Sequence, residues 1–318
     1  MSKWKFTKGL HDLGNGIWAY LWPNGTWGFS NAGLIVDGNR SLLVDTLFDL
    51  ASTKEMLALM RQATPAAASI DILVNTHGNG DHWYGNELVK EAEIIASKEG
   101  TREMTAMSPQ TLGNLVKNAP NMGAVGEYII QRFGPFKFDD ITPTLPNITF
   151  EHHLDIKVGR KAVQLIEVGP AHTDGDLLVY VPENRVMFAG DILFVGGTPI
   201  TWCGPISGWV KALNRILEMD VDTIVPGHGP ITDKKGVQEV KDYLEYVQAE
   251  TRKRFDAGMA PLEAALDIKL GKTFASWGDP DRLIVSVHVL YSEFKGEHPK
   301  PVLELFNILA ENAKKFKG

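Results

Sequence analysis

The residues best suited to chemistry in this 318-residue chain stand in Thr76-His77-Gly78-Asn79-Gly80-Asp81-His82. Two imidazoles and a carboxylate lie close together, with two glycines between them. Glycine lets the backbone turn tightly, so side chains that are neighbours in sequence can point at one centre. Imidazole nitrogen and carboxylate oxygen together suit zinc and similar divalent ions. A polar turn with solvated histidines has the same composition, so this stretch alone leaves both readings open.

Stepping outward, the run Asp71-Ile72-Leu73-Val74-Asn75 before it is short and apolar, the pattern of a buried strand. Residues 83–88 after it have the composition to open a helix. The pattern recurs in the second half of the chain. Residues 162–167 read as a strand and lead into Gly169-Pro170-Ala171-His172-Thr173-Asp174-Gly175-Asp176. Residues 177–181 and 185–189 are strands around a Pro-Glu-Asn turn, and the second ends at Gly190-Asp191. Thr223-Ile224-Val225 ends at Pro226-Gly227-His228-Gly229-Pro230. Four strand ends thus each present a metal-type residue. Open α/β sheets bind ligands at strand ends, and four coincidences favour a metal site over solvated turns.

Further strands are expected at 16–22, 27–36, 41–45, 93–96 and 148–154, and a helix at 50–62. Strands alternating with helices predict a layered α/β architecture. Residues 98–145, rich in Met, Leu and aromatics with scattered Gly and Pro, read as an insertion of two or so helices. It is either a lid over a pocket or a helical layer with its own small core. From 243 onward the pattern is mostly helical, a cap that also has the character of a pocket wall or homodimer contact. The expected organisation is one unit over 1–250, carrying the 98–145 insertion, with a helical cap over 251–318.

The motif set, a His-rich loop closed by Asp-His, then a lone His, then Gly-Asp, then Pro-Gly-His-Gly, resembles the metallo-β-lactamase superfamily. Asn31-Ala32-Gly33-Leu34-Ile35-Val36-Asp37 and Leu42-Leu43-Val44-Asp45-Thr46 resemble its first strands, and the likeness runs over about 14–250. It implies an αβ/βα sandwich, two mixed sheets face to face with helices outside. It also implies that His77 and His172 bind a first metal, Asp81, His82 and His228 a second, and that Asp191 bridges them. Asn79 stands where most members have a histidine. An amide oxygen is a weaker donor to zinc, so one or two zinc ions are expected, the first site being the weaker. Asn79 and the Gly-Gly-Thr-Pro after Asp191 also resemble a bacterial subgroup of polyketide cyclases and thioesterases.

Chemistry follows from such a site. A bound cation lowers the pKa of its water to about 7 and polarises a carbonyl. Asp81 is suited to orienting that water and carrying a proton, and Asn79 to positioning substrate. No Gly-x-Ser-x-Gly elbow competes as nucleophile. Cys203, the one cysteine, is expected to pack as a small hydrophobe and excludes an intrachain disulfide. Trp83, Tyr84, Phe194 and Trp202 fall in or near the ligand loops and suit an apolar or aromatic acyl group. The expected activity is hydrolysis of an ester, thioester or lactone. A non-hydrolytic cyclase or condensation role is the alternative, and a β-lactamase-like side activity a further one. His288 is expected to pack within a helix, and His152-His153 to lie on the surface.

Composition narrows the partners. A net charge of -7 argues against a nucleic-acid surface. No cluster of basic residues flanks the ligand motifs, which argues against a phosphate substrate. No apolar run is long enough to span a membrane, and the first residues lack a signal-peptide pattern. A small-molecule acyl substrate and a cytoplasmic setting are therefore expected.

Overall fold

Leu42-Leu43-Val44 and Ile72-Leu73-Val74 are buried throughout, as strands inside a sheet covered on both faces must be. The computed structural model describes residues 4–25 and 27–316, and among these two mixed sheets form. In the first, β1 (Gly9–Gly14), β2 (Ile17–Leu21), β3 (Ala32–Asp37) and β4 (Arg40–Val44) are antiparallel neighbours. The sheet continues in parallel through β5 (Ile72–Val74), β6 (Glu93–Ser97) and β7 (Ile148–Phe150). In the second, β8 (His153–Val158), β9 (Lys161–Glu167), β10 (Leu177–Val181) and β11 (Val186–Phe188) are antiparallel, and β12 (Thr223–Val225) pairs parallel with β11.

The inner faces share one apolar layer, with Ile17, Ile35, Val44 and Val74 from one sheet against Val163, Leu165, Val179 and Phe188 from the other. A Cβ at Gly33 would sit 2.2 Å from the Phe188 ring, so only glycine lets that ring fill the gap between sheets. Helices cover the outside. α1 (Leu50–Ala63) lays Met56, Leu57 and Met60 on the first sheet. Asp49 caps it by accepting from the Ser52 amide at 2.8 Å, an interaction worth about 1 kcal/mol.

The insertion supplies α2 (Lys98–Met104), α3 (Pro109–Asn118) and α4 (Gly123–Phe133). After the second sheet come α5 (Ile206–Glu218), α6 (Lys234–Asp256), α7 (Pro261–Asp267), α8 (Gly271–Phe274), α9 (Leu283–Lys295) and α10 (Val302–Asn312). Leu213 and Ile216 of α5 and Val240 and Leu244 of α6 share an apolar cluster with Leu178, Met187 and Ile224 of the second sheet. This is an αβ/βα sandwich. α10 returns across the molecule, where Phe306 stacks on Phe133 with ring centroids 5.7 Å apart.

Three local expectations need correction, and one strand, β1, was not expected. Residues 148–154 are two strands, not one. The chain leaves the first sheet at Phe150 and enters the second at His153, turning through His152 at a φ of 67°. Residues 27–31 are a loop, and β3 begins only at Ala32. Residues 83–88 hold a short 3-10 turn rather than an α-helix start. β1, a half-buried edge strand, has no apolar alternation to announce it.

Candidate metal centre

Each site residue sits just past a strand. His77, Asp81 and His82 follow β5, His172 follows β9, Asp191 follows β11 and His228 follows β12. Backbone bonds draw these loops together: the Leu177 amide donates to the Thr76 carbonyl at 2.8 Å and the Gly227 amide to the Gly190 carbonyl at 2.7 Å. A Cβ on Gly227 would lie 1.9 Å from Asp191 Oδ1, so that position is confined to glycine. Asn31 ties the other side, its amide nitrogen donating to the carbonyls of Pro226 and Gly229, each at 2.9 Å.

All six residues converge. Asp191 Oδ2 lies 3.7 Å from His77 Nε2, 3.4 Å from His172 Nε2 and 3.3 Å from His228 Nε2. Its Oδ1 lies 3.2 Å from His82 Nε2. Asp81 Oδ2 is 3.5 Å from His228 Nε2 and 3.9 Å from His82 Nε2. Two ligand trios result, His77-His82-Asp191 and Asp81-His82-His228. His82 is thus central to both, whereas the family pattern gave it to one. Asn79 Oδ1 stands 3.1 Å from His172 Nε2.

The backs of the imidazoles set their tautomers. His172 Nδ1 faces the Ile200 carbonyl at 2.7 Å and His228 Nδ1 the Phe29 carbonyl at 3.1 Å. A carbonyl only accepts, so each Nδ1 carries a proton. His82 Nδ1 donates to Asp45 Oδ2 at 2.9 Å. The Thr76 hydroxyl gives its proton to Asp45 Oδ2 at 2.8 Å, which leaves it to accept from His77 Nδ1 at 3.0 Å. In the neutral rings all four Nε2 atoms are therefore lone pairs, turned toward two carboxylates and an amide oxygen. His77 Nε2, His82 Nε2 and Asp191 Oδ1 are buried with no hydrogen-bond partner. Acceptors facing acceptors in a buried site call for a cation between them.

Titration behaviour agrees. Burial works against charge throughout, yet the carboxylates Asp191, Asp81 and Asp45 pull His82 well above the ordinary histidine range. Asp191 and Asp81 likewise lift His228 to about 9 against its burial. In return His228, His82 and His77 hold Asp191 well below the usual carboxylate range despite its burial. Burial holds His172 down to about 4 and keeps His77 neutral. The pocket favours positive charge, supplied by protons or by a metal ion.

A family model described as the metallo-β-lactamase superfamily matches residues 25–228. The chain belongs to the metallo-β-lactamase superfamily. It is 24% identical over 221 residues to the beta-lactamase-like protein 2 homolog of Caenorhabditis elegans, covering 68% of this chain and 61% of that protein. It is 22% identical over 202 residues to the 2,4-dinitroanisole O-demethylase subunit alpha of Nocardioides sp. (strain JS1661), covering 61% and 51%. The chain thus spans less than two thirds of either relative. The sec-alkylsulfatase Pisa1 from Pseudomonas sp. shares the fold with a TM-score of 0.71 at 16% identity, over 91% of this chain and 50% of that one. None of these names speaks to the polyketide cyclase and thioesterase subgroup.

The superfamily floor opens into a cavity of about 460 Å³ with mostly apolar walls. Tyr84, Phe194 and Trp202 line it, together with Trp27, Phe48, Leu112, Phe133 and Phe306. Trp83 does not reach it, and its assignment to substrate is corrected. It is 1% exposed and braces the ligand loop from behind, its indole N–H donating to the Gly78 carbonyl at 3.0 Å. Trp209 is also behind the site, donating to the Ile192 carbonyl at 3.0 Å. Cys203 is half-buried on the cavity wall, packed against the apolar core as expected, with its sulfur 3.8 Å from Glu103 Oε1. Burial, then the neighbouring Asp174 and Glu103, push its thiol far up, so it stays protonated.

Asp45 is the residue the motif reading passed over. It ends β4 at a φ of 61°, is buried, and serves His82, the Thr76 hydroxyl and the Thr76 amide at once. The signal in the sequence is an acidic residue closing an apolar strand, with no water to solvate it there.

Proposed function

We propose that this chain is a zinc-dependent hydrolase of a small-molecule ester, thioester or lactone with an apolar or aromatic acyl group. One observation carries the reading: His172, His228, Asp81 and Asp191 border a cavity whose walls are aromatic and aliphatic, and His77 and His82 complete the ligand cluster behind them. His77, His82, His172, His228, Asp81 and Asp191 would hold the metal, with the Asn79 amide oxygen beside His172. When bound, the ion acidifies a water molecule and polarises an acceptor oxygen.

The chain's own residues do the rest. Asp81 lines the cavity while its backbone carbonyl is fixed by the Ser30 hydroxyl at 2.5 Å. Its carboxylate is therefore placed to take a proton from the attacking water and return it to the leaving oxygen or sulfur. Asn79, also on the cavity surface, orients substrate through its amide. Tyr84, Phe194 and Trp202 exclude water from the acyl group and hold it by apolar contact. Among the described residues no helix is long and apolar enough to cross a membrane.

A panel of aryl esters, aryl thioesters, lactones and one β-lactam, assayed with and without chelator, tests the reading. Hydrolysis of at least one carbonyl class, lost on chelation and restored by zinc, is expected. Inertness toward the whole panel by zinc-replete protein would remove the hydrolase assignment.

A further inference from the structure

Arg282 lies outside the stretch that matches the superfamily, just before α9, yet its side chain reaches the cavity beside the metal-type residues. It is 1% exposed, among the least accessible large side chains of the chain. Nη1 donates to the Thr198 carbonyl at 3.1 Å, and Nε has no hydrogen-bond partner. The guanidinium carbon sits 4.4 Å from the centre of the Trp27 ring and 5.4 Å from that of Phe194. Its acidic neighbours are engaged elsewhere: Asp279 pairs with Arg132 at 2.8 Å, and Asp281 accepts from Tyr128 at 2.8 Å. No carboxylate lies within 4 Å of Arg282 among the ion pairs of the described residues.

A buried cation with no carboxylate in contact is costly, and aromatic faces and the more distant Asp279, Asp191 and Asp281 offset only part of that cost. This cation also stands next to a pocket built to hold another positive charge. An anion entering the cavity would be drawn to both. The forked guanidinium suits a planar, delocalised oxyanion better than an ammonium would.

We propose that Arg282 is an anion-binding residue of this cavity, and that the substrate carries an oxyanion of the carboxylate class beside its apolar part. This rests on reading the cavity as a hydrolase's substrate pocket. The α9 and α10 region then selects substrate, with Arg282 gripping the charge and Phe306 and Leu303 packing the apolar part. A sulfate monoester is tetrahedral rather than planar, but it offers the same fork two anionic oxygens and is a second source.

Three probes of matched size, 4-phenylbutanoate, 4-phenylbutanamide and 3-phenylpropyl sulfate, test this through quenching of tryptophan fluorescence, since Trp27 lies against the guanidinium. Binding is measured on zinc-loaded and on chelated protein, because a carboxylate can also bind a metal. The acid or the sulfate should bind about 10- to 100-fold more tightly than the amide in both states, the range for a charge-assisted hydrogen bond. The tighter of the two names the source. In chelated protein Arg282→Met should abolish that preference and leave the amide within about twofold. Equal binding of acid, sulfate and amide by the native protein overturns the proposal, as does a preference that vanishes on chelation or survives in folded, chelated Arg282→Met. Should Arg282→Met not fold, Arg282→Lys decides: its point charge lacks the fork and should weaken the anion several-fold, and an unchanged anion affinity refutes the assignment. Hydrolysis is read separately. An anion preference without hydrolysis removes the hydrolase reading and leaves this one standing, and hydrolysis without the preference does the reverse.

Discussion

The floor and the walls of the cavity are built on different principles. The floor comes from six residues on four loops, each three to eight positions past a strand of the sandwich. Its side chains are fixed from behind by hydrogen bonds, Asp45 and Thr76 for two of the imidazoles and backbone carbonyls for the other two. The walls come from the 98–145 insertion, from the segments after 280 and from aromatics of the sandwich's own loops such as Trp27, Phe48 and Trp202, and they are held by packing, as where Trp27 meets Tyr128, Phe133 and Phe306 edge-on. Directional bonds confine a ligand atom to a small region, whereas apolar packing fixes only volume and shape. Chemistry should therefore be sensitive to single atoms on the floor, and substrate choice to bulk on the walls.

Damage to the floor should have the largest effect. Asp191→Ala removes the carboxylate that approaches all four imidazoles, and metal content and hydrolysis should fall together, the latter by about 10³-fold or more. A purified variant with full metal and full rate would dissolve the distinction. Asp45 is not itself a candidate ligand but stands behind one. Asp45→Asn replaces the acceptor that fixes His82 and, through Thr76, His77, and should weaken metal binding about 10- to 100-fold. Competition with a chromogenic chelator measures it, and unchanged affinity would mean that the rings are held by something else.

On the wall, Phe306→Ala should do the opposite. It should leave metal content intact, raise KM for bulky aromatic substrates about tenfold, and lower stability by roughly 3 kcal/mol through the cavity it opens. A matching loss of metal would show that floor and wall are not separable. The smallest effect concerns His288 on α9, whose ring burial, with Lys300 nearby, holds down to about 4. An unfolded histidine takes its proton near pH 6.5, so between about 6.5 and 4 the unfolded chain binds the extra proton and stability falls as pH falls. His288→Gln should reduce that fall by about 1 kcal/mol, allowing for partial solvent contact. Urea midpoints of both proteins at pH 7.5 and 5 measure it, and identical pH slopes would show that the ring plays no part.

The same division governs what could be read from sequence. His77, Asp81, His82, His172, Asp191 and His228 are legible because each lies immediately past an apolar strand, so a local pattern fixes both residue and position. The sandwich follows from the same strands. The tautomers were not legible, since they depend on Ile200 and Phe29, which only tertiary structure brings to His172 and His228. Arg282 carries no local signal, being one arginine among many until α9 packs it beside Trp27. Trp83 and Tyr84 are adjacent and equally aromatic, yet one braces the loop and the other lines the cavity, a distinction made by the turn between them. The chain's crossing between sheets at His152 was hidden because the residues on either side are both strand-like.

Zinc titration of chelated protein by calorimetry, with hydrolysis followed at each addition, tests the metal floor most directly. One tight equivalent should bind first, at the set including Asp81, His82 and His228. A second should bind more weakly beside His172, where Asn79 offers an amide oxygen, and Asn79→His should tighten that second equivalent. Hydrolysis should appear as zinc binds. Undiminished hydrolysis by chelated protein that takes up no zinc would contradict the account.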